Sequence, residues 1–172
     1  MKKIFVIMMC CLGLAFASCT KEPANKKFVG DYLGTMYLNG TVTSPQLSQL
    51  GMDAFPLENT EVKLQTNIVA GSKDDEVFVT FTIDDESYVT SGTVVDNTLQ
   101  FGTLSYNYVE EQTNTDLIIN LTLTGVLNEN VITLSGPFTG SGIATIDLEG
   151  FSLALNLSAS GNVNGAVHRL AQ

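Results

Sequence analysis

From Phe28 onward, apolar and polar residues alternate along the chain. Val77, Val79, Phe81 and Ile83 fall on one face of a stretch, and Leu117, Ile119, Leu121 and Leu123 on one face of another, with Asn120, Thr122 and Thr124 opposite. Phe151, Leu153, Leu155 and Leu157 repeat the pattern against Ser152, Asn156 and Ser158. Successive side chains on a strand point to opposite faces, so a period of two means a strand with one face buried. Thr, Val, Ile, Phe and Tyr are plentiful, as half-buried pleated surface favours. The alternation predicts strands near 28–38, 60–70, 76–83, 87–95, 98–107, 116–126, 130–136, 140–148, 151–159 and 162–169. Gly71-Ser72, Asp84-Asp85, Asp96-Asn97, Asn128-Glu129-Asn130, Gly150 and Gly161-Asn162 supply turn residues between them. The Gly-rich run from Ser135 to Gly142 has no Lys and no helical pattern after it, so it reads as a turn and not as a phosphate loop.

Short links between successive strands favour an antiparallel up-and-down meander. An all-β chain with about eight to ten such strands suits a closed barrel, which removes exposed edges. A sandwich shares this periodicity; the barrel is the preferred reading. An outer-membrane barrel fits less well, because its strands run about 9–11 residues with aromatic girdles and several here are shorter.

Ser44 to Asn59 breaks the alternation. Ser44 can cap a helix, Pro45 suits its first position, Leu47 and Leu50 share a face, and Gly51 can end the turn. Met52 and Phe55 follow before Pro56. The segment reads as a short apolar helix or loop that caps one end of the sheet. A plug over a barrel end is the plainer role, and a lid over a ligand cavity the functional one.

The N-terminus differs in kind. Lys2 and Lys3 precede an apolar run from Ile4 to Ala17, then small residues and Cys19. This order is that of a secretory signal. At about 1.5 Å per residue the run spans roughly 21 Å, short of the ~30 Å bilayer core. Residues 1–18 are expected to be a signal peptide, 19–27 a tether and 28–172 one domain.

All three cysteines (Cys10, Cys11 and Cys19) lie in this leader or at its end, so the expected body has no thiol nucleophile, disulfide or Cys metal site. The net charge of −10 argues against nucleic acid, which needs a basic surface. The body from Phe28 is more acidic still: it keeps 17 acidic groups, all but Glu22, and three basic ones, Lys63, Lys73 and Arg169, hence −14.

The Ala17-Ser18-Cys19 ending resembles a bacterial lipobox, with Phe16 where Leu or Val is more usual. The whole leader resembles that of a Bacteroidetes lipoprotein, which implies cleavage before Cys19 and lipidation there. Phe28-Val29-Gly30-Asp31-Tyr32-Leu33-Gly34-Thr35 resembles the opening strand of lipocalin-like and calycin-like barrels. Bacteroidetes lipoproteins with such a domain often begin Gly-x-Tyr-x-Gly, as Gly30, Tyr32 and Gly34 do here, with Tyr32 in place of the lipocalin Trp. The resemblance covers about eight residues directly. It implies an aromatic sealing the barrel base and an Arg from a late strand over it. Arg169 is the single Arg and could make that cation–π contact, although an exposed terminal Arg is the plainer expectation.

Acid–base chemistry finds little support. Asp74-Asp75-Glu76 and Asp84-Asp85-Glu86 flank a strand of seven residues, about 23 Å long at ~3.3 Å per residue, so they cannot share an ion. They read as solvated turns, as does Glu110-Glu111. His168 is the single His and has no nucleophile motif beside it. The expectation is therefore a non-enzymatic, lipid-anchored envelope protein, in the outer membrane with its face open, with no cofactor or metal. A small apolar or amphipathic ligand would lie against Tyr32, Met36, Leu47, Leu50, Met52, Phe55, Phe81, Phe101 and Leu123. The alternative is a solid-cored interaction protein that meets a protein or glycan through its loops. Cavity volume separates the two, a ligand site needing about 300 Å³ or more.

Overall fold

A computed structural model describes residues 22–49, 51, 54–110, 114–148 and 151–171. The described chain is all-β. Its strands are β1 (Gly30–Thr43), β2 (Phe55–Ala70), β3 (Glu76–Ile83), β4 (Glu86–Val95), β5 (Thr98–Phe101), β6 (Leu104–Glu110), β7 (Thr115–Leu121), β8 (Thr124–Asn128), β9 (Val131–Leu148) and β10 (Phe151–Arg169). A 3-10 turn, Ala24–Phe28, precedes β1, and one short helix, α1 (Pro45–Ser48), follows it. No helix among the described residues is long and apolar enough to cross a membrane.

All ten strands join one antiparallel sheet in the order β10-β1-β2-β3-β4-β5-β8-β9-β7-β6, and β10 also pairs with β9. That pairing closes β1, β2, β3, β4, β5, β8, β9 and β10 into a ring of eight. Tight turns make the meander. Asp84 and Asp85, both at positive φ, link Ile83 to Glu86. Two such residues give the twist a two-residue hairpin needs, and Asp tolerates that backbone.

The expected alternation holds in the core. Val77, Val79, Phe81, Ile83, Leu117, Ile119, Leu121 and Leu123 are all buried in one core. Strand boundaries differ in three ways. β1 runs on to Thr43 and β2 starts at Phe55, where strands were expected over 28–38 and 60–70, so Phe55–Asn59 of the expected cap is strand paired with β1. The stretches expected at 98–107 and 116–126 are each broken, at Gly102-Thr103 and at Thr122-Leu123. Conversely, 130–148 and 151–169 are each one long strand where two were expected. The turn expected at Ser135–Gly142 is strand, because β10 pairs across all of it, Gly136 with Val163 and Pro137 with Asn162. Gly136 also marks where β9 changes its other partner from β8 to β7. An added Cβ there would lie 1.9 Å from the Thr122 carbonyl oxygen. Gly161 is no break either; it faces Gly40 across the β1–β10 ladder.

The two ends of the ring differ. At one, the base, the 3-10 turn packs Phe28 into the core beneath Tyr32. Asn25 fixes it: its Nδ2 donates to the carbonyls of Lys73 and Glu76 at 2.9 Å each, and its backbone N–H to Asp74. Glu76 in turn accepts from the Ser72 N–H and hydroxyl, which hold its carboxyl below the usual carboxylate range.

At the far end the strands are of unequal length. β2 pairs with β3 only over Gln65–Ala70, so 55–64 of β2 pair with β1 alone. β4 pairs with β5 only over Gly92–Val95, and β6 pairs with β7 alone. The tip of the β3–β4 hairpin therefore sits between β2 and β6 in a part of the wall without continuous ladders.

Candidate functional site

This unladdered part of the wall is where the main cavity lies, with a volume of about 400 Å³. The inner faces of β1, β2, β6, β7, β9 and β10 cup it with Leu38, Val42, Leu57, Val62, Leu117, Ile119, Phe138 and Ala159. Ile83 and Asp84, at the hairpin tip, close the remaining side, and Tyr106 and Tyr108 of β6 complete the wall. Thr60, Glu61 and Lys63 stand at the edge where β2 runs past β3.

Tyr106 is buried, and its ring meets Tyr88 edge-on at 6.1 Å. Burial, and then the negative charge of Asp84, push its phenol well above the ordinary tyrosine value. Tyr88 donates to Glu86 at 2.7 Å and is also raised, by burial first and then by Glu86. Both phenols are neutral donors at physiological pH.

The base carries the second polar cluster. Arg169 lies over the Tyr32 ring and bonds its hydroxyl, and also donates to the Lys27 carbonyl. The Tyr32 hydroxyl donates to the Phe28 carbonyl at 2.8 Å. Burial raises the Tyr32 phenol, and Arg169 partly opposes that. The expectation of an exposed terminal Arg is thus corrected: Arg169 is half-buried and bonded. This cluster seals the base and does not reach the main cavity.

The expected ligand-lining residues lie elsewhere. Tyr32, Met36, Phe81, Phe101 and Leu123 are buried in the packed core, and none lines the main cavity. Tyr32 instead borders a smaller depression at the base, of about 250 Å³, with Thr66. Leu47 is buried on α1, which packs against β10 where β1 has ended; Gln46 there accepts from the Asn156 N–H. The helix covers a strand edge, and no α1 residue lines the cavity. Phe55 is 45% exposed. Leu50, Met52 and the lipidation candidate Cys19 lie outside the described residues.

Of the acidic clusters, Asp74, Asp75, Asp84, Asp85 and Glu86 are exposed, as solvated turns are; the backbone carbonyls of Asp74 and Asp75 also bond to Asn25 and Val94, and Asp84 also borders the cavity. Among the described residues no group of three or more His, Cys, Asp or Glu side chains could hold a metal. His168 is exposed on β10. Sequence reasoning passes over Tyr106 and Tyr108, and takes Asp84 only as part of a solvated turn. The available signal was the parity of β5 and β6: buried Leu99 and Phe101 are odd-numbered, Leu104 and Tyr106 even-numbered, so the chain shifts register between them.

Compared with known proteins, the chain matches no family model and no curated sequence.

Proposed function

We propose that the protein is a lipid-anchored envelope lipoprotein of the calycin-like Bacteroidetes kind, which holds a small apolar or amphipathic ligand and catalyses no reaction. The observation that carries the ligand reading is the cavity of about 400 Å³ with a mainly aliphatic and aromatic wall. That is within the size range of small-molecule sites, and its apolar wall with a few convergent polar groups is their usual make-up. The reading of a solid-cored interaction protein calls for no such space. The leader and the Gly30-Asp31-Tyr32-Leu33-Gly34 strand support the anchoring and the kinship.

Native mass spectrometry of the purified protein tests the ligand. A co-purifying small molecule is expected in the wild type and is expected to be lost in Leu57→Trp, which fills the rim. A wild type that carries no ligand and binds no apolar fluorescent probe overturns the reading. Anchoring is tested separately. Cys19→Ser should move the protein from the membrane fraction to the soluble one, and unchanged fractionation refutes lipidation at Cys19.

A further inference from the structure

The cavity wall contains a phenol hydroxyl that opens onto the space and that the fold itself does not use. Tyr106 is 4% exposed and lines the cavity, and its hydroxyl has no hydrogen-bond partner among the described residues. The Tyr106 ring is buried but the hydroxyl is not sealed in the core, so it faces whatever fills the cavity. An occupant with a hydrogen-bonding head can take the place of water there.

The surroundings of this hydroxyl select the partner's charge. Asp84 and Tyr108 share the wall with Tyr106. Behind them Tyr88 packs edge-on to Tyr106 and is bonded to Glu86. At the rim, the positive charge of Lys63 is offset by Glu61 on the same strand. The negative charges of Asp84 and Glu86, which add to the effect of burial in raising these phenols, would also attract a cation. Phenol oxygens, aromatic faces and a carboxylate together are the groups that recognise an ammonium. An anionic head would meet Asp84 in a body whose charge is −14.

Resting on the ligand-binding reading above, we infer that the occupant is an amphipathic organic amine. Its ammonium sits among Tyr106, Tyr108 and Asp84, and its apolar part lies against Leu38, Leu57 and Phe138.

The test is calorimetric titration of the purified full chain with decylamine, decan-1-ol and decanoate, each below its micellar concentration. The three share a chain and differ in head charge. Decylamine should bind at least ten-fold tighter than decanoate. Asp84→Asn, which Asn should tolerate at that positive φ, should bring the amine to the level of the alcohol and leave the alcohol unchanged. Tyr106→Phe keeps the ring and should weaken the amine several-fold. If the alcohol and carboxylate bind as tightly as the amine, or if Asp84→Asn has no effect, the ammonium site is refuted while the cavity remains a ligand site. If none of the three binds, the ligand-binding reading fails with it.

Discussion

Tyr32 and Arg169 face each other across the β1–β10 ladder, with the guanidinium carbon 5.2 Å from the ring centroid and Nε and Nη2 donating to the hydroxyl at 3.1 and 2.6 Å. The two residues are 137 positions apart and join the first strand to the last. They bind the 3-10 turn to the ring, because the same hydroxyl donates to Phe28 and the same guanidinium to Lys27.

Arg169→Ala should therefore destabilise the fold by about 2–4 kcal/mol, since it removes a charge-assisted cluster and leaves the buried Tyr32 hydroxyl with only its bond to the Phe28 carbonyl. Arg169→Lys should recover less than half of that, because an ammonium lacks the planar fork that reaches both acceptors. Urea unfolding curves measure both. A loss below about 0.5 kcal/mol for Arg169→Ala would show that the cluster contributes little, as exposed pairs do.

Asn25 presents a sharper chemical choice. Its Nδ2 serves two carbonyls in a buried place. Asn25→Ala should cost about 1–3 kcal/mol by leaving those acceptors unpaired. Asn25→Asp should cost more than Ala, because an ionised carboxylate has no donor and would face two carbonyl oxygens. Equal stability of the two variants, or greater stability of Asp, would contradict this placement.

Much of this frame was legible along the chain, and the reasons separate cleanly. Alternation marks buried faces wherever a strand has one wet side, so Val77 to Ile83 and Leu117 to Leu123 could be placed from sequence. Ser135–Gly142 was misread because Gly and Pro weaken local strand preference, and the β10 ladder that overrides it is a long-range fact. The cavity was illegible for a related reason. It exists because β2 runs past β3, which depends on which residues pair and not on any local pattern. Arg169 could be matched to Tyr32 only through the family resemblance, since nothing in Val167-His168-Arg169 distinguishes a bonded end from a free one.

Gly161 tests the coiling of the sheet. A Cβ there would lie 2.2 Å from the Asn39 carbonyl oxygen and 2.6 Å from the Gly40 Cα, both backbone atoms of the facing strand. Neither can give way without parting β1 from β10. Gly161→Ala should cost about 3 kcal/mol, at or above the usual range for overpacking. The thermal unfolding midpoint reads this out, and a variant as stable as wild type would mean that β10 does not approach β1 so closely.

Alkaline pH should loosen the fold through its buried phenols. Tyr32, Tyr88 and Tyr106 all have raised values, chiefly from burial. A phenol that ionises near 10 in the unfolded chain but higher in the fold keeps its proton in the native state after the unfolded state has lost it. Stability then falls as pH rises above about 10, with a slope set by the difference in bound protons. The contribution is fully present at neutral pH. Phenolate absorbance should show Tyr32, Tyr88 and Tyr106 titrating late, in step with unfolding, and Tyr106→Phe should flatten the decline between pH 10 and pH 12 (about two decades above ordinary ionisation). If all five tyrosines titrate together near 10 with the fold intact, the Tyr106 phenol is not buried in the wall as described.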